Sequence, residues 1–297
     1  VFRILVSGLI NIETTVAIDG FPLTYFPVRF PFFGVRSTVS GVGYNVAKAL
    51  RKLGNEPRLV SLIGPDPMGS LVRQAFETDG LPASYLSDSA RETPESVILF
   101  DPSGRRQIHV DLKNVQESVL PQSLFSEALD GADACALCNI NFSRPYLKRV
   151  KESGKLIATD VHTLSDPDDS YNRDFMAAAD VLFLSDEALP AKPDEVAREL
   201  IGRFRNRVVV IGRGARGAHM AVRDDGFSAS FPAAITRPVI NTIGAGDALF
   251  SSFLHLYLKT ENPYTALRGA LAFASYKIGA TGAAEGFLTG EELDRYV

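Results

Sequence analysis

The sequence predicts an α/β fold: a doubly wound, mostly parallel sheet with helices on both faces and a small β-flap. Three observations carry this reading. Short apolar runs alternate with helical patterns along the chain. The 297 residues, 45% of them hydrophobic and 22% charged, suffice for a sizeable core. Two segments, about 12–38 and 95–111, break the alternation with strand-like patterning. No repeat, low-complexity tract or linker-like run sets off a second unit, so residues 1–297 are expected to form a single domain.

The opening Val1–Ile10 is mostly apolar, carries Arg3 and reads as a buried first strand, Arg3–Val6. It is too short to span a membrane and lacks a small-residue cleavage site. Residues 12–38 alternate Val, Ile, Phe and Tyr with three prolines and no helical period. A helix over Tyr44–Leu53, a strand over Arg58–Leu62 and a helix over Met68–Thr78 follow. Residues 95–111 then read as strand, turn, strand around Asp101-Pro102-Ser103-Gly104. Strands over Ala134–Leu137, Leu156–Thr159 and Val181–Leu184, a helix over Glu195–Phe204 and a strand over Val208–Ile211 restore the rhythm. Strand then helix, repeated, means a parallel sheet covered on both faces. The two irregular segments are expected to pair as a flap over a site at the strand ends; an edge hairpin without a role is the alternative.

Lys plus Arg total 31 against 35 Asp plus Glu, a net charge of −4, which offers no excess positive charge to a nucleic-acid backbone. No run reaches the ~18 apolar residues of a membrane span. The two cysteines, Cys135 and Cys138, are too few for a disulfide-stapled scaffold, and a cytoplasmic location is expected. Their spacing matches half a zinc site, but three positions apart on an apolar strand they face opposite ways and read as core residues. The histidines have no metal-ligand spacing, and Asp160-Val161-His162 at a strand end either borders the site or is structural.

The segment Asn241-Thr242-Ile243-Gly244-Ala245-Gly246-Asp247 opens an apolar helical run. Its glycines allow a tight turn that brings unshielded N–H groups to a helix start, where phosphate oxygens are favoured. Asp247, in the first turn, is placed to take a proton from an attacking hydroxyl. The bland alternative is a turn followed by a capping Asp.

The chain resembles the ribokinase family of carbohydrate and nucleoside kinases, also called the phosphofructokinase-B family. The family's Asp-Thr-x-Gly-Ala-Gly-Asp signature is matched at Thr242, Gly244, Ala245, Gly246 and Asp247, with Asn241 departing. Its Gly-Gly-x-Gly-x-Asn signature is matched at Gly41, Gly43 and Asn45, with Ser40 departing. The resemblance covers essentially the whole chain. It implies that Asp247 is the catalytic base and that the amides of Gly244, Ala245 and Gly246 form an anion hole. It also implies that Asn11, Glu13, Gly41, Gly43 and Asn45 line the acceptor pocket, with Glu13 where the family has an Asp gripping two sugar hydroxyls. The extra methylene of Glu shifts that grip by about 1.5 Å.

Gly212-Arg213-Gly214-Ala215-Arg216-Gly217 spells GxGxxG, but a dinucleotide fingerprint needs a helix next, and Ala218–Arg223 reads as a strand running into the turn Asp224-Asp225-Gly226. The family has a nucleotide-contacting Thr-Leu-Gly-x-x-Gly turn here, so Gly212, Gly214, Gly217 and Thr242 are expected on the nucleotide side, with Arg213 or Arg216 replacing the lost hydroxyl contact. The family's Asn-x-x-Glu element, which organises Mg²⁺ through water, falls on Ser185-Asp186-Glu187-Ala188; Asp186 or Glu187 substitutes there, or the loop is merely acidic and solvated. The expectation is an ATP- and Mg²⁺-dependent kinase acting on a hydroxyl of a sugar or nucleoside, a homodimer through the flap. A non-catalytic sensor on the same fold is the alternative. Because Asn241 brings no charge where the family has a cation-binding Asp, little response to K⁺ is expected.

Overall fold

The computed structural model describes all 297 residues. The strands are β1 (Arg3–Ser7), β2 (Asn11–Ala17), β3 (Val35–Ser40), β4 (Glu56–Leu62), β5 (Leu86–Ser87), β6 (Glu95–Phe100), β7 (Arg106–Asp111), β8 (Ala134–Leu137), β9 (Leu156–Thr163), β10 (Val181–Ser185), β11 (Val208–Gly212), β12 (Ala218–Val222) and β13 (Ser228–Phe231). The helices are α1 (Val42–Lys52), α2 (Pro67–Asp79), α3 (Gln122–Leu129), α4 (Leu147–Glu152), α5 (Arg173–Ala178), α6 (Pro193–Phe204), α7 (Ala245–Thr260), α8 (Pro263–Lys277) and α9 (Gly290–Leu293).

Nine strands form one sheet in the order β13-β12-β11-β10-β9-β8-β1-β4-β5. From β5 through β11 neighbours run parallel; β12 and β13 close the edge antiparallel. The central strands are apolar on both faces because both are covered. Ile4 and Val6 of β1 join the core beneath α1, α7 and α8, while Leu5 joins the core beneath α3 to α6. Helix ends follow local chemistry: Pro193 opens α6, and the Asn262 side chain accepts from the N–H groups of Tyr264 and Thr265 ahead of α8. The chain winds from β1 outward to β4 on one side and meets β8 on the other, which opens a crevice at the carboxyl ends of β1 and β8.

The two segments that broke the strand–helix rhythm pair into a separate four-stranded sheet, β3-β2-β6-β7. This flap lies over the crevice. Its Ile98 packs with Ile243 and Ala283, Arg106 Nη1 donates to Thr242 Oγ1 at 3.1 Å, and Arg36 engages Thr281 and Glu285. After β11 the chain makes a single 3-10 turn, Gly214–Arg216, and returns antiparallel as β12, so the GxGxxG pattern has no helix to serve a dinucleotide. Cys135 lies in β8 and Cys138 just past its end, both buried, with burial pushing the Cys135 thiol up to about 12. No helix is long and apolar enough to cross a membrane.

Candidate active site

Asp247 sits in the first turn of α7 and is buried, yet its carboxylate does not cap that helix. It accepts a hydrogen bond from Asn45 Nδ2 at 2.7 Å, joining residues 202 positions apart. Asn45 is in the first turn of α1, and both helices pack on the same face of the sheet. Ser40, ending β3, continues the array: its hydroxyl lies 3.0 Å from Glu13 Oε2 and 3.3 Å from Asn45 Oδ1, with one proton to donate. The departures at positions 13 and 40 therefore meet each other, the added hydroxyl of Ser40 donating to the longer carboxylate. Asn11 Nδ2 donates to Ser96 Oγ at 2.6 Å, while its buried Oδ1 accepts from no protein group. Such an orphaned acceptor at a crevice fits a ligand hydroxyl.

The glycines of the first motif are explained by packing. Gly41, the N-cap of α1, has φ +102°, and a Cβ there would stand 2.5 Å from the Leu9 carbonyl oxygen. A Cβ on Gly43 would stand 2.5 Å from the Gly8 carbonyl carbon, so its absence seats α1 against the end of β1. In the second motif Gly244 is the N-cap of α7 with φ +76°, and a Cβ would meet the Ala283 carbonyl oxygen at 2.4 Å. No side chain caps this helix, which leaves first-turn amides to other partners. Ala245 N–H donates to the Thr242 carbonyl at 3.2 Å, so of the three amides expected to hold an anion this one is engaged. The space around Gly246 is open.

Three buried carboxylates, Glu13, Asp160 and Asp247, share the crevice. Burial pushes Asp247 above the usual carboxylate range; the Asn45 bond and the charges of His162 and Lys277 oppose this, and Asp160 adds to it. Burial also raises Glu13, against the Ser40 bond. Asp160 Oδ1 accepts from the His162 N–H at 2.8 Å, which ties the strand end into the site.

The opposite side of the crevice is built from charges, with Arg216 and Glu187 exposed and Arg106, Arg213 and Asp186 half-buried. Gly212 ends β11, and Gly217 is held to glycine by Phe231, whose carbonyl oxygen would stand 2.1 Å from a Cβ. Asp186 accepts from Arg216 Nη2 at 2.5 Å and lies 3.9 Å from Arg213 Nε, while Glu187 pairs with Arg106 at 3.7 Å. Each carboxylate expected to organise Mg²⁺ is thus drawn to an arginine, and no three His, Cys, Asp or Glu side chains converge as metal ligands. These residues do not fit a protein-built Mg²⁺ site in this arrangement. The arginines expected to meet phosphate face Asp186. Sequence reasoning missed Lys277, Ser40 as a partner of Glu13, and the flap arginines; the one available signal was a lone lysine ending the apolar stretch Ala270–Tyr276.

The pfkB family carbohydrate kinase model matches residues 3–289. An acarbose 7(IV)-phosphotransferase of Actinoplanes sp. is 30% identical over 274 residues, 91% of this chain and 90% of the relative. A microbiome-derived acarbose kinase structure superposes with a TM-score of 0.88 at 25% identity, over 99% of this chain and 97% of the other. The ribokinase of Thermotoga maritima shares the fold, with a TM-score of 0.80 at 20% identity over 100% and 99% of the two chains.

Proposed function

The chain belongs to the pfkB family of carbohydrate kinases, and from that premise we propose that it moves the γ-phosphoryl group of ATP to a sugar or nucleoside hydroxyl with Asp247 as base. The observation that carries the proposal is the Asn45–Asp247 bond at the uncapped start of α7. It fixes a carboxylate, whose proton affinity burial raises, beside backbone donors, the equipment phosphoryl transfer asks of a protein.

In this reading Asn11, Glu13 and Asn45 grip the acceptor. Asn11 Oδ1 accepts one of its hydroxyls, and Glu13, oriented by Ser40, accepts a second. Asp247 takes the proton of the attacking hydroxyl, with Asn45 fixing the carboxylate. The amides of Gly244 and Gly246, with Ala245 once its bond to Thr242 yields, hold charge on the phosphoryl oxygens. Gly212, Gly214, Gly217 and Thr242 border the nucleotide. Asp186 and Glu187, each held by an arginine, carry no step. The flap acts as the lid of a single 1–297 unit and excludes water when closed. Its exposed Val97, Ile108 and Val110 suit a homodimer contact.

A coupled assay of ADP formation over pentoses, hexoses, phosphosugars, nucleosides and acarbose tests the proposal; turnover with at least one acceptor is expected. Ligand binding without turnover across the panel overturns it in favour of a sensor.

A further inference from the structure

Lys277, the last residue of α8, is fully buried. A buried ammonium is costly unless its environment uses the charge. Its Nζ donates to the carbonyl oxygen of Ile243, the residue before the glycine turn. The charged groups around it are Asp247 of α7, Glu13 of β2, Glu285 beyond α8, and Arg237 in the segment before α7. Asp247 in turn faces Asp160 and His162 at the end of β9 as well as Asn45. Among the three buried carboxylates of the crevice, this amine is a cation held wholly inside the protein.

The Ile243 carbonyl and the Gly244 N–H belong to one peptide unit, and in a trans peptide they point in opposite directions. An ammonium on the oxygen polarises the unit and strengthens the N–H on its other side. We propose that Lys277 is a positioning residue for phosphoryl transfer: through the Ile243–Gly244 peptide it sharpens the first amide of the anion cradle, and by its charge it keeps Asp247 ionised. This rests on the reading of Asp247 as base and of the cradle as the phosphoryl site. Lys277 touches neither substrate; it acts through those two groups. Burial lowers its amine to about 8, against the pull of Asp247 and Glu13, so its charge is lost within an accessible pH range.

The test uses the full chain with Lys277→Met, Lys277→Arg and Asp247→Asn. Calorimetry compares binding of ADP with fluoroaluminate, a mimic of the phosphoryl group in transfer, against ADP alone. Initial rates are taken from about pH 5 to about pH 10 with the best acceptor of the screen. Removing one donor of such a hole costs about 10²–10³ in rate, so weakening one is expected to cost about 10–100-fold. Lys277→Met should lower kcat by that factor with acceptor KM within about threefold, and weaken ADP–fluoroaluminate but not ADP. Lys277→Arg should recover much of both. The unmodified protein should lose rate as pH rises through about 8, where the amine gives up its proton. That limb should vanish in Lys277→Met and move to higher pH in Lys277→Arg, whose guanidinium stays charged. Unchanged kcat and fluoroaluminate binding in Lys277→Met, beside an inactive Asp247→Asn, overturns the proposal and leaves the kinase mechanism standing. Near-normal kcat in Asp247→Asn overturns that mechanism itself. Should Lys277→Met not fold, the unmodified profile decides: a flat rate across pH 8 rejects the role.

Discussion

The two sides of the crevice are built by opposite means. On one side, Glu13, Ser40, Asn45 and Asp247 are buried and bonded to one another. On the other side, Arg106, Arg213, Arg216, Asp186 and Glu187 pair as charges, each pair with one end toward solvent or half-buried: the Arg216 and Glu187 side chains are 66% and 67% exposed, and Asp186 is 13% exposed. A buried bond to a charged group contributes about 1.5–3 kcal/mol, whereas an exposed ion pair contributes about 0–1 kcal/mol. The Glu13–Asp247 side is therefore preorganised, and the arginine-rich side is held more loosely through its solvent-facing partners.

Four substitutions sharpen or break this contrast, from the largest expected effect down. Asp247→Asn should lower kcat by about 10²–10⁴, the usual worth of a positioned general base, with ATP affinity by calorimetry little changed. Asn45→Ala removes the bond that orients Asp247 and restrains its proton affinity. With about 1.4 kcal/mol per factor of ten, a loss of about 10–100-fold in kcat is expected. Because that bond lowers the proton affinity of Asp247, its removal should move the acid limb of the rate profile to higher pH; a limb that stays put or moves down would break the link between the two residues.

On the other side, Arg216→Ala should change KM for ATP by less than about fivefold and leave kcat nearly intact, since the arginine end of its pair with Asp186 is exposed and Arg213 stays beside that carboxylate. A loss rivalling that of Asn45→Ala would erase the distinction between the two sides. The smallest effect concerns monovalent cations. Asn241 Oδ1 accepts from the Ile243 N–H and its Nδ2 donates to the Thr281 carbonyl, so both ends of the amide are occupied within the protein. Rates in K⁺ and in a large organic cation at equal ionic strength should agree, while Asn241→Asp, with no amide donor and a new charge, should gain a K⁺ response. Saturable activation of the unmodified protein by millimolar K⁺ rejects this.

The elements were legible where they depend on local chemistry. The alternation of β1, β8 and β10 with helical segments, the turn at Asp101–Gly104 and the glycines at 41, 43 and 244 leave marks within a few residues of themselves. The placement of Asp247 at the start of a helix was equally local. The packing of Gly43 was not: its neighbour is Gly8, just past the end of β1, and a Cβ on Gly43 would run into that backbone. Nor was the fate of Asp186 and Glu187, because which arginine reaches a carboxylate depends on how β7, β10 and the turn after β11 are brought side by side.

By itself, then, the sequence determined the alternation of the main strands with helices such as α1, α2, α6 and α7, and which residue types stand at the starts of α1 and α7, since period and backbone freedom act over a few residues; α3, α4, α5 and α8 were not read from it. Only the tertiary structure decided that Asn45 meets Asp247 across 202 positions, that Ser40 compensates for Glu13, and that Lys277 lies buried behind the cradle. Those outcomes depend on how helices from distant parts of the chain share one face of the sheet, and hydrophobic packing, which is non-directional and long-range in sequence, writes no local pattern for them.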